Sequence, residues 1–215
     1  MKTTFNILLL AFITILAACN NAEKPASADS TLNKISVDTV DLHQGPADKE
    51  EMLKQLQELK TAFVNKDKNK IASFLTFPLT DSTLVLFDID SVFDNQRVKN
   101  GNLVTRQMFL DHFDRIYDYM NMEGFKDLFK YLDINGLKNK DLLELERRIP
   151  TEGCYYMYSI EIKDDEVALH YGTNSNEDYM KAHPDEEMVC GESASMWTFK
   201  LTGKKLKLIS QMSAG

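Results

Sequence analysis

Cysteine is scarce in this chain, three in 215 residues, and tryptophan occurs once. No cysteine–histidine group has the spacing of a zinc site, so a zinc staple is excluded. Calcium loops fail as well. Asp88, Asp90 and Asp94 lack the glycine and terminal glutamate of an EF-hand. Around Asp133, Asn135 and Glu144, the residues Leu137 and Lys138 stand where a ligand and the glycine belong. No metal and no cofactor is therefore expected. Basic charge is in deficit, with 25 Lys and Arg against 33 Asp and Glu, a net charge of −8. A nucleic-acid partner needs the opposite balance, and so does electrostatic docking on anionic lipid. There is no internal repeat. The one long apolar run, residues 7–18 interrupted by Thr14, is shorter than the roughly 20 residues of a membrane-spanning helix.

What the chain does carry begins at that run. Lys2 precedes it and Leu16-Ala17-Ala18-Cys19 closes it. A basic start, a short apolar core and small residues form the pattern of a signal peptide. The closing four residues resemble the lipobox of bacterial lipoproteins. That resemblance implies acylation of the Cys19 sulfur, cleavage before it and acylation of the new amino terminus. An ordinary secreted protein with a cysteine at this place is the alternative. Two or more acyl chains anchor stably where one does not, so the membrane is expected as a partner through the lipid alone. By the same resemblance, Asn20 in place of aspartate favours the outer membrane of a Gram-negative envelope, with the leaflet left open. Residues 1–18 then form the signal peptide, 19–46 a flexible tether and 47–215 a single domain. Alternation of Ile35, Val37 and Thr39 with polar neighbours allows a short strand over 34–40.

The domain opens with helices. Met52, Leu53, Leu56, Leu59, Phe63 and Val64 recur at helical spacing within 48–66. A short helix is expected over 70–77, stopped by Pro78. Residues 82–90 alternate as a strand. Asn100-Gly101 reads as a hairpin turn between Val98 and Leu103-Val104. Thr105 caps a helix over 106–121 that Gly124 ends, and 125–132 and 138–148 also read as helical. From Gly153 the period changes to two. Strands are expected over 154–163 and 167–171, then a polar loop over 172–187. A last hairpin, 188–201 and 205–210, turns at Thr202-Gly203-Lys204. Helices first and a strand meander last indicate an α+β fold, N-terminal helices packed on a curved antiparallel sheet formed mainly by the C-terminal half.

The helix at 52–64 is followed by Asn65-Lys66-Asp67 and a second short helix. The chain closes on Trp197-Thr198-Phe199, a Gly203 turn and Leu206-Lys207-Leu208-Ile209. This combination resembles the nuclear-transport-factor-2-like, or SnoaL-like, cone domain over 48–215. The resemblance implies helices against the concave side of the sheet and a pocket at its wide end. The helical stretch expected over 125–148 is longer than a minimal member needs. No catalytic motif of the family lines up with this chain.

Candidate ligand-binding residues are Tyr156, Tyr158, His170, Tyr171 and Trp197, because aromatics with polar tips suit an apolar pocket with a few orienting groups. The plainer reading has them packing the sheet against the helices. His170 is expected to face away from Val167, Leu169 and Tyr171. Helix neighbours one and two apart do not face each other, so His112, in Asp111-His112-Phe113-Asp114, reads as part of a solvated polar face. An envelope compartment permits disulfides, and Cys154 and Cys190 are expected to bridge, with two buried thiols the alternative. Asp29-Ser30-Thr31, Asp38-Thr39-Val40, Asp81-Ser82-Thr83 and Asp90-Ser91-Val92 resemble the acceptor of periplasmic O-glycosylation, the last two expected to sit in a strand. With no catalytic constellation, the expected role is a lipid-anchored envelope binding or accessory protein for a small apolar or polar ligand, or for an envelope protein partner. The alternatives are a small hydrolase or isomerase using Tyr158, His170 or Glu161, and an interaction module using the acidic surface or the 172–187 loop.

Overall fold

The computed structural model describes residues 46–186 and 190–215. The lipobox with Cys19, the tether, the 34–40 strand and the first two acceptor triplets lie outside the described residues. Six helices come first: α1 (Pro46–Val64), α2 (Lys68–Ser73), α3 (Ser91–Lys99), α4 (Arg106–Asp111), α5 (Phe113–Tyr119) and α6 (Glu123–Tyr131). A 3-10 turn (Ile134–Lys138) leads into β1 (Leu142–Arg148), β2 (Cys154–Lys163) and β3 (Glu166–Ser175). A short helix α7 (Glu177–Ala182) separates these from β4 (Ser193–Thr202) and β5 (Lys205–Ala214). The strands form one antiparallel five-stranded sheet in the order β1-β2-β3-β4-β5. The architecture is α+β, with N-terminal helices against an antiparallel sheet in the C-terminal half.

Strand alternation decides which side chains meet the helices. Tyr158, Ile160 and Ile162 of β2, Val167, Leu169 and Tyr171 of β3, Trp197 and Phe199 of β4, and Leu206 and Leu208 of β5 point inward and are buried. They pack against Met52, Leu56, Leu59 and Phe63 of α1 and Phe125, Leu128 and Phe129 of α6. Phe63 and Phe125 both lie edge-on to Trp197, with centroids 6.1 and 5.1 Å away. Edge-to-face pairs of this kind add to area burial through the ring quadrupole. The β5 edge is partly closed by α2: the Leu208 N–H donates to the Phe74 carbonyl at 2.8 Å, and Lys207 Nζ reaches the Ser73 carbonyl at 2.6 Å.

Several expectations are corrected. Residues 138–148 are not a helix but the end of the 3-10 turn and β1. Their Leu, Glu and Arg side chains favour a helix locally, and pairing with β2 overrides that preference. Residues 82–90 form the end of a turn and then irregular chain rather than a strand, and Leu79 pairs with Val104 in an isolated bridge. No hairpin forms around Asn100-Gly101, which instead ends α3. The helix over 106–121 is broken at His112 into α4 and α5. The loop over 172–187 holds the end of β3 and α7. Ser82 and Ser91 of the later acceptor triplets are exposed, in a turn and at a helix start, rather than in a strand. Cys154 and Cys190 form the expected disulfide.

Candidate ligand-binding cleft

Large side chains fill the inner face of the sheet along β4 as far as Trp197, and then the residues become small. Ser195 pairs across the strands with Tyr171 on one side and Ser213 on the other. The two serines of this row, unlike the tyrosine, are too short to reach the helices. A cleft of about 620 Å³ opens there, lined among others by Val85, Tyr119, Asn121, Tyr171, Ser195 and Gln211. Among the described residues, no Asp, Glu, Lys, Arg or His lines it.

Its floor is held by the turn between α5 and α6. Asn121 has φ +47°, a left-handed conformation that asparagine tolerates better than most residues. That turn exposes two carbonyls, and the Tyr171 hydroxyl donates toward both, to Met120 at 3.2 Å and Asn121 at 2.5 Å. Burial pushes the Tyr171 hydroxyl above its ordinary pKa. Tyr171 therefore stays neutral and donating at neutral pH. The Ser195 hydroxyl is buried and makes no hydrogen bond of its own. A buried polar atom without a partner costs about 1–3 kcal/mol, and a ligand that bonds it would recover part of that.

Of the five candidate residues, Tyr171 lines this cleft. Trp197 lies behind it, fully buried, with an indole N–H that has no partner. Tyr158 sits further along the same face beside Tyr131, and burial pushes its hydroxyl up to about 12. Tyr156 is half-buried under the Arg147 guanidinium, 5.6 Å from the ring centroid. His170 points to the opposite face, between the buried Leu169 and Tyr171, as its alternation required. Tyr158, His170 and Glu161 do not converge: the first faces the helices and the other two face away, each a register step of odd parity from it.

His112 is not part of a solvated face. Its ring is edge-on to Phe93 and its Nδ1 lies 3.6 Å from Asp90 Oδ2, the oxygen that also holds Arg115 Nη1 at 2.5 Å. Asp90 caps α3 through Oδ1, and chiefly the Phe93 N–H, with Arg115 adding to it, keeps the carboxyl below its ordinary range. Both oxygens are committed, so this group works as a brace between α3 and the α4–α5 junction.

Ser195, Gln211 and Asn121 escaped the sequence reading. The signal that could have found them is the small-residue run Ser193-Ala194-Ser195 facing Ser213-Ala214 across the last hairpin. Comparison with known protein families, with curated proteins and with solved structures gives no match. Among the described residues, no helix is long and apolar enough to cross a membrane.

Proposed function

We propose that this chain is a lipid-anchored binding protein of the bacterial cell envelope, attached through Cys19 at the outer membrane, that takes a small neutral ligand in the Tyr171–Ser195 cleft. The observation that carries this reading is an uncharged cleft holding a buried, unpartnered serine hydroxyl beside an oriented tyrosine. Such a lining offers nothing to a charged ligand. It suits a molecule with an apolar body and one or two hydroxyl or amide groups, because the few polar groups orient it and apolar contact supplies the affinity. The absence of a nucleophile–base pair among these lining residues argues for binding rather than turnover. Helices covering one face of the sheet, with an open end, also fit the cone architecture that the terminal hairpin resembles.

The test is a thermal-shift screen of the full chain against neutral polyols, amides and sterol-like molecules, with charged analogues alongside. A ligand present at about 100 times its Kd stabilises by about 2.7 kcal/mol. Neutral ligands whose shift disappears in Ser195→Leu support the reading. A screen in which only charged molecules shift the wild type overturns it. Anchoring is tested separately by mass spectrometry of the membrane fraction, where Cys19→Ser should abolish the lipid-modified amino terminus.

A further inference from the structure

The face of the sheet turned away from the helices carries a different chemistry. We infer that His170, Met196 and Met212 form a thioether–imidazole site for a soft monovalent cation, Cu(I).

The placement follows from register. His170 is the direct cross-strand partner of Met196, and Met196 is the direct partner of Met212. The three therefore stand in one row on three adjacent strands. By register all three stand on the outward face, since His170 lies between buried Leu169 and Tyr171, Met196 lies between buried Ser195 and Trp197, and Met212 follows its partner Met196 on the edge strand β5, where it also borders the Tyr171–Ser195 cleft. Directly paired residues on one face have Cβ atoms about 5 Å apart, so the imidazole of His170 and the thioether of Met212, on either side of Met196, can meet its sulfur over one ion. Met157 extends the set. Its methyl group packs over Gly172, at 3.4 Å from where a Cβ would stand, and Gly172 lies one step along the same face from His170.

The chemistry selects the ion. Thioether sulfur is a soft, neutral ligand and imidazole a borderline one, a combination that suits Cu(I) and not the hard cations. Among the described residues, no three carboxylate, imidazole or thiol groups converge to offer a site to those. Glu144 and Glu146 of β1 share a hollow of about 430 Å³ with Met157 and His170; Glu146 is paired with Arg148, and Glu144 places negative charge near an incoming cation.

The experiment is titration of the full chain, its Cys19 thiol alkylated and the Cys154–Cys190 disulfide intact, with Ag(I) as the redox-inert stand-in for Cu(I). Methionine methyl NMR reports which thioethers bind. One equivalent of Ag(I) should shift the methyl signals of Met196 and Met212 and leave those of buried Met52 and Met120 in place. Met196→Leu and the more exposed Met212→Leu should each weaken binding about tenfold or more without lowering Tm, and Met180→Leu should leave it unchanged. Absence of shifts at Met196 and Met212, or equal affinity in Met196→Leu, overturns the site.

Discussion

The ring of Tyr171 occupies the place that a side chain on Gly124 would take: a Cβ there would come within 2.4 Å of the ring. Gly124 lies inside α6 rather than ending a helix. It is the reason α6 can approach β3 closely enough for the Tyr171 hydroxyl to reach the α5–α6 turn. Gly124→Ala should cost about 1–3 kcal/mol through overpacking, measured by urea denaturation, and should weaken ligand binding by moving Tyr171. The gain in helix propensity from alanine, under about 1 kcal/mol, does not offset it.

Ser195→Ala has the opposite signature. The hydroxyl is buried and unpartnered, so its removal should leave stability unchanged or slightly raised. Binding of a neutral ligand should fall. Calorimetry and thermal unfolding on the same variant separate the two effects.

The disulfide joins the start of β2 to the segment that enters β4, across a separation of 36 residues. Loop-closure entropy in the unfolded chain makes it worth about 4 kcal/mol. Beside it, the Ser175 hydroxyl donates to the Cys190 carbonyl at 2.9 Å and the Thr173 hydroxyl to the Gly191 carbonyl at 3.2 Å. Reduction should lower Tm and loosen the Ser193–Ser195 wall of the cleft, measured by calorimetry with and without a thiol reductant. Cys154→Ala should match the reduced wild type.

Asn176 is 2% exposed, and its side-chain amide donates to the carbonyls of Ile149 and Glu152, both at 3.0 Å. It pins the β1–β2 connection to the end of β3. Asn176→Leu should cost about 1–3 kcal/mol by leaving those carbonyls unsatisfied, and hydrogen exchange should quicken around 149–153.

The Asp90 brace gives the acid limb of stability a specific contributor. Its folded-state pKa lies below the unfolded value, so its contribution is full above the ordinary carboxylate range. It is lost as pH falls through the folded value. Asp90→Asn keeps a capping oxygen and drops the charge. Its stability should therefore fall less steeply than wild type below about pH 4, followed by circular dichroism.

The meander was legible because each strand is covered on one side only and so alternates, as Tyr158, Ile160 and Ile162 do. Helix α1 was legible because one stripe is buried. Helix α3 was not: Phe93 is its one buried side chain, and alternation before Asp90 concealed the capping signal that Asp90 carries. β1 was hidden by residues whose local preference is helical. In the cleft, Tyr171 was within reach of the sequence. Ser195 was not, because it becomes a lining residue only through its register opposite Tyr171. That register belongs to the β3–β4 pairing, while the turn at Gly203 and the bulge at Thr198/Phe199 set the separate pairing of Ser195 with Ser213.

Helix α1 packs against β5, with Glu58 3.3 Å from Lys205, so the first and last elements of the described chain complete one another. During synthesis the apolar stripe of α1 emerges from the ribosome long before the strand that covers it. Every chain cut short ahead of β5 leaves α1 without that contact and Glu58 without Lys205.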